Sequence, residues 1–240
     1  MTREEARKKI IFALDMETIE QAARWADLLA SHVGMFKVGK QLFTTCGPDI
    51  VRLIQEDGGE VFLDLKYHDI PNTVAMASLE AARLGVRLFN MHALGGYEMM
   101  ARSAEALDRE FHGRERPKAL AVTILTSASE QTLREVGIEL PVPEMVVRLA
   151  LLAQKAGLDG VVASPLEIPM IRAACGEDFL VVTPGVRPAF AALDDQKRVM
   201  TPGEAVKAGA DYLVIGRPIS SAQEPIKAVE AIVSEIVGLV

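Results

Sequence analysis

Phe62-Leu63-Asp64-Leu65-Lys66-Tyr67-His68-Asp69-Ile70-Pro71-Asn72-Thr73 begins as an apolar strand and ends as the start of a helix. Val61 to Leu63 is apolar, and Asp64 and Lys66 stand two residues apart, so on a strand they share one face. Pro71 suits the first turn of a following helix, where a missing N–H costs nothing. Two carboxylates, Asp64 and Asp69, thus flank a lysine at a strand end. A solvated surface does not call for that arrangement; a site that must hold a charged lysine in a fixed place does.

The same strand-then-helix pattern repeats in both directions from this stretch. Apolar runs at 9–15, 35–41, 60–66, 87–93, 119–126, 160–164, 180–186 and 212–217 are too uniformly apolar for half-exposed antiparallel strands and suit a parallel sheet covered on both faces. Helical spacing lies between them. Thr18 with Gln21 reads as a capping box ahead of Ala22, Ala26 and Leu29. Val74, Ala77, Ala81 and Leu84 repeat the pattern, and Gly85 ends it. Further helices are expected at 48–56, 97–109, 143–156, 166–174, 202–208 and 225–237, with an extra helical turn within 127–141. Eight such units in 240 residues predict a (β/α)₈ TIM barrel forming a single domain over 1–240, for which roughly 250 residues is usual. A doubly wound open sheet is the alternative, but no G-x-G-x-x-G follows the first strand.

Composition narrows the function classes. Half the residues are hydrophobic, enough for a large core, and the net charge of −7, with no basic block, argues against a nucleic-acid partner. No apolar run reaches the length of a membrane span, and the charged 2–9 segment does not read as a secretory leader, so the cytoplasm is the expected compartment. Cys46 and Cys175 are far apart and in no paired motif; they read as buried free thiols, with one disulfide as the alternative. His32, His68, His92 and His112 lack metal-ligand spacing, so no metal site is expected. Trp25 and the ten methionines read as packing.

In a barrel the chemistry sits at the C-terminal ends of the strands. Those ends carry Asp15, Lys37, Asp64 and Lys66 with Asp69 just beyond, then Asn90 and His92, Thr126-Ser127, Pro184-Gly185-Val186-Arg187, and Gly216-Arg217. Lys37, Asp64, Lys66 and Asp69 alternate in sign, and the competing reading is a structural ion-pair network. Carboxylates beside an amine favour the ammonium form, so Lys66 suits a proton donor rather than a Schiff-base nucleophile. Gly216 and Arg217, with Arg187 and Gln196 on the preceding loop, suit a phosphate site; the competing reading is a tight turn with a surface arginine. The connection 189–201 is long enough to close over a ligand.

Asp64-Leu65-Lys66-Tyr67-His68-Asp69-Ile70-Pro71-Asn72-Thr73 resembles the signature of the orotidine 5′-phosphate decarboxylase family. Phe12-Ala13-Leu14-Asp15, Phe36-Lys37-Val38-Gly39, Val182-Thr183-Pro184-Gly185-Val186-Arg187, Asp195-Gln196-Lys197-Arg198 and Val214-Ile215-Gly216-Arg217-Pro218-Ile219 resemble the family's other motifs, in order along the chain. The resemblance implies decarboxylation of orotidine 5′-monophosphate to uridine 5′-monophosphate, the last step of new pyrimidine nucleotide synthesis, with no cofactor and no metal. It implies that Asp15 and Lys37 hold the ribose and that Thr126 and Ser127 meet the pyrimidine. Pro184, Arg187, Gln196, Gly216 and Arg217 fall at the strand-seven and phosphate positions. It also implies a homodimer in which Asp69 and Thr73 enter the partner's site. Magnesium-dependent sugar-phosphate barrels share the D-x-K-x-x-D element but not the Ile70-Pro71-Asn72-Thr73 continuation. A nucleotide-binding barrel without catalysis and a Schiff-base aldolase are the remaining alternatives.

Overall fold

Every strand of the sheet is parallel to, and hydrogen-bonded with, the strand before and after it in sequence, and the last pairs with the first. In the computed structural model, which describes residues 1–112, 116–189 and 200–239, the strands are β1 (Ile10–Leu14), β2 (Met35–Gly39), β3 (Val61–Tyr67), β4 (Leu88–His92), β5 (Lys118–Val122), β6 (Gly160–Val162), β7 (Leu180–Pro184) and β8 (Tyr212–Ile215). Pairing of Ile10 with Leu213, Ile11 with Val214 and Phe12 with Ile215 closes the barrel and excludes the open sheet. The described helices are α1 (Arg3–Lys8), α2 (Ile19–Leu29), α3 (Lys40–Cys46), α4 (Asp49–Glu56), α5 (Pro71–Arg83), α6 (Gly96–Glu110), α7 (Glu130–Glu135), α8 (Val142–Lys155), α9 (Ile168–Cys175), α10 (Pro202–Lys207), α11 (Arg217–Ser220) and α12 (Pro225–Leu239). None is long and apolar enough to cross a membrane.

Strand alternation sorts the apolar residues into two cores. Phe12, Phe36, Leu63, Phe89, Val161, Val181 and Leu213 face outward and pack under the helices. Ile11, Met35, Phe62, Leu88, Leu120, Val122, Val162 and Val182 face inward and plug the barrel. Each fully buried Phe or Leu contributes about 2–3 kcal/mol of transfer free energy. Trp25 packs on Phe12 with ring centroids 5.3 Å apart, as part of the outer core.

The helix boundaries follow local chemistry. Pro71 is the first residue of α5, and Gly85, at φ +75°, follows its C-cap. Thr18 does cap α2 by accepting from the Gln21 N–H at 3.3 Å. The reciprocal arm goes elsewhere: Gln21 Oε1 accepts from the Glu17 N–H at 3.1 Å, so the expected capping box is only half formed. The extra helical turn expected within 127–141 is α7. β5 stops at Val122, four residues short of the expected run; the Thr123 N–H makes the last ladder bond, to the Val162 carbonyl, which the Thr123 hydroxyl also reaches. Cys46 and Cys175 are free; Cys175 is buried, whereas Cys46 is only half-buried, and burial pushes both thiols up.

Candidate active site

One layer above the apolar plug, the inward positions become polar. Met35 is followed two residues later by Lys37, Phe62 by Asp64 and Leu88 by Asn90, so the pleat that buries the plug aims these groups at the barrel mouth. Lys37 is 9% exposed and Asn90 fully buried. Lys37 Nζ lies 3.1 Å from Asp15 Oδ1 and 3.6 Å from Asp64 Oδ2. Lys66 Nζ lies 2.5 Å from Asp64 Oδ1. The result is a continuous row, Asp15–Lys37–Asp64–Lys66, of alternating sign.

Asp64 and Lys66 do not meet through regular strand alternation. The β3–β4 register shifts between Leu63 and Tyr67, and Lys66 has φ +52°, the only positive φ outside glycine among the described residues. A left-handed conformation costs a lysine about 1–2 kcal/mol. Asn90 compensates: its Oδ1 accepts the Lys66 N–H at 2.8 Å, and its Nδ2 donates to Asp64 Oδ1 at 2.7 Å. The chemistry fixes the amide orientation, since a backbone N–H can only donate and a carboxylate can only accept.

Asp69 does not flank Lys66 within this chain, contrary to what its spacing alone suggests. It is exposed, and its Oδ1 accepts the Ile70 N–H at 2.7 Å, while no ion pair within 4.0 Å joins it to Lys66 in this chain. Its carboxylate is used locally to turn the chain into α5. Thr73, in the first turn of α5, is exposed as well.

Above the row opens a cavity of about 220 Å³. Its polar wall combines Lys37, Asp64 and Lys66 with Thr126, Ser127 and Pro184, and Phe62, Val122, Ile124, Val162 and Val214 make an apolar floor and side. Thr126 and Ser127 reach it from the loop beyond β5, not from the strand itself. Asp15 sits at the rim, with its side chain 66% exposed. Arg187 follows β7; its N–H is held by the Met200 carbonyl at 3.0 Å, and its guanidinium donates to the Val186 carbonyl at 3.0 Å. Gly216 caps α11, whose first residue is the exposed Arg217. Gln196 and most of the 189–201 connection lie outside the described residues.

Two contributors were not singled out by sequence reasoning. Asn90 was only one polar strand-end residue among several; its inward parity above Leu88 is the available signal. Gly39 matters through space rather than backbone freedom: a Cβ there would lie 3.0 Å from Lys37 Nζ and 3.7 Å from Asp15 Oδ1. Gly216 is likewise tight, with an added Cβ 3.3 Å from that of Ala13.

His92 is half-buried at the mouth, its ring 5.5 Å from that of exposed His68. Burial, then the neighbouring His68, Lys40 and Lys66, hold its imidazole below the usual range. Burial pushes the Tyr67 phenol up to about 12, and its ring packs on Phe89 at 6.3 Å. Among the described residues no group of three or more His, Cys, Asp or Glu converges as a metal site.

Relatives of known name match this chain along its length. A protein from Geotalea daltonii named orotidine 5'-phosphate decarboxylase is 75% identical over 238 residues, covering 99% of this chain and 100% of its own. One of the same name from Geotalea uraniireducens is 73% identical over 239 residues, covering 100% and 99%. The crystal structure of orotidine 5'-phosphate decarboxylase from Lactobacillus acidophilus superposes with a TM-score of 0.82 at 40% identity, covering 95% of this chain and 98% of that one. A family model described as "Orotidine 5'-phosphate decarboxylase / HUMPS family" matches residues 8–232. With this coverage, and with the charge row and cavity at the barrel mouth, the chain belongs to the orotidine 5′-phosphate decarboxylase / HUMPS family.

Proposed function

We propose that this chain decarboxylates orotidine 5′-monophosphate to uridine 5′-monophosphate, with Lys66 as the proton donor. The observation that carries the reading is the Asp64–Lys66 pair on the wall of a cavity whose floor is hydrocarbon. Loss of carbon dioxide from C6 of the pyrimidine leaves an electron pair that the ring does not delocalise. A fixed cation at that atom is then the stabilising element, and in a dry site it acts strongly. The C6–carboxylate bond breaks, its electrons stay on C6, and a proton passes from Lys66 Nζ to C6; solvent recharges the amine. Asp64 holds the ammonium in place and lies beside the departing carboxylate. Asp15 and Lys37 take the ribose, Thr126 and Ser127 the pyrimidine, with Pro184 on the same cavity wall, and Arg187, Gln196, Gly216 and Arg217 the phosphate end, whose remote binding energy is available for orienting the ring.

The working unit in this reading is a homodimer. Asp69 and Thr73 face solvent at the mouth, beside Ile70, a large apolar side chain 66% exposed. Such a rim suits contact with a second copy whose site receives both residues.

Turnover of orotidine 5′-monophosphate by the purified protein, followed by ultraviolet absorbance in excess chelator, tests the activity. Robust chelator-insensitive conversion is expected, and a folded protein without turnover rejects the reading. Lys66→Ala is expected to lose at least about 10³-fold in kcat while still binding uridine 5′-monophosphate. A near-normal rate would exclude Lys66 as the donor.

A further inference from the structure

We propose that Asn90 is the residue that positions Lys66, acting through the Lys66 backbone and the Asp64 carboxylate without touching the substrate. One fully buried amide clamps both: Oδ1 takes the Lys66 N–H at 2.8 Å, and Nδ2 reaches Asp64 Oδ1 at 2.7 Å. The same Asp64 oxygen receives Lys66 Nζ at 2.5 Å. The three contacts form a closed circuit in which Lys66 is held at both its backbone and its ammonium end. The circuit replaces the strand ladder where it fails, at the register shift and at Lys66's left-handed φ of +52°. Without the amide, the N–H has no ladder partner to return to, and Asp64 loses the donor that fixes its rotation. The inference rests on Lys66 being the proton donor.

The charged and titratable groups facing Asn90 come from three strands. Asp64 and Lys66 stand on β3, Lys37 lies behind Asp64 on β2, and His92 is two residues along β4 with His68 beside it. From β5, Leu120 is the register partner and contributes no charge.

Two variants test the inference, each checked for fold by circular dichroism. Asn90→Ala is expected to lose about 10- to 100-fold in kcat with KM held within about threefold, because misplacing a reacting group by about an ångström costs that much while ribose and phosphate contacts persist. Asn90→Asp keeps the acceptor for the Lys66 N–H but sets a second carboxylate against Asp64. One member of such a pair has a raised pKa, and once protonated its O–H donates as the amide did. The kcat of Asn90→Asp is therefore expected to recover as pH falls and to drop as pH rises, over a window where the wild-type kcat is level. If Asn90→Ala does not fold, the near-isosteric Asn90→Asp decides. Wild-type kcat in either folded variant at every pH, a defect flat with pH in Asn90→Asp, a loss carried by KM, or loss of fold in both would overturn the inference. Inactive wild type would instead sink the decarboxylase reading, and active Lys66→Ala its choice of proton donor; active wild type, inactive Lys66→Ala and indifferent Asn90 variants would sink this inference alone.

Discussion

The absence of one methyl group at Gly39 gives Lys37 its place in the charge row. The Lys37 ammonium lies 3.0 Å from where a Cβ would stand. The obstacle is the far end of a flexible side chain, so the chain can accommodate the change by moving Lys37 off Asp15. Gly39→Ala is therefore expected to leave the unfolding free energy from urea titration almost unchanged, within about 0.5 kcal/mol. It should lower kcat/KM by about tenfold through a misplaced ribose contact. Equal kcat/KM would remove Lys37 from the binding machinery. At this scale much was legible in the chain. The polar residues at the strand ends follow from parity alone, and Lys37, Asp64, Lys66, Thr126, Ser127 and Pro184 do line one cavity. What stayed hidden was how Asp64 and Lys66 meet. A register shift and a left-handed lysine have no signature in D-x-K spacing, because both depend on a partner, Asn90, that is 24 residues away.

Among the elements, β6 is the shortest strand, and its pairing depends on a glycine. A Cβ on Gly160 would stand 2.2 Å from the Leu180 carbonyl oxygen on β7, a backbone atom that has no rotamer to escape into. Gly160→Ala is expected to destabilise by about 3 kcal/mol or more in urea denaturation, the upper range for overpacking. Gly58, at φ +80° with nothing near its Cβ position, provides the contrast: Gly58→Ala is expected to cost only about 1–2 kcal/mol, the left-handed penalty. Equal costs for the two would contradict the assignment of steric and conformational causes. The elements themselves were read well from periodicity, since eight apolar runs all became strands. Their C-terminal limits were read less well. Beyond Val122 the sequence stays apolar through Ile124 and Leu125, but those side chains line the cavity instead of extending the strand. Hydropathy alone does not separate the two uses.

For the molecule as a whole, the proposed exchange of Asp69 and Thr73 between copies makes activity a property of pairs. Lys66→Ala and Asp69→Asn dimers are each expected to be nearly inert. Mixed and allowed to exchange, half of the dimers become hybrids, and each hybrid carries one site with both native residues. About a quarter of wild-type activity should return, as two-fold symmetry dictates. No recovery after verified exchange would confine each site to one chain. Such sharing was not derivable from the spacing of Asp69 alone, which placed it beside Lys66 in the same chain; the exposed carboxylate capping Ile70 shows that it is not.

Closure of the sheet has a consequence for how this protein is made. Eight apolar ribbons lie buried on both sides, and none presents an unpaired border once β8 rests on β1. A sheet not yet closed has two open margins, each a template for a neighbouring nascent chain. A chain whose β8 has not met β1 is thus open to pairing with its neighbours, and refolding yield, measured across a dilution series from urea, is expected to rise as concentration falls.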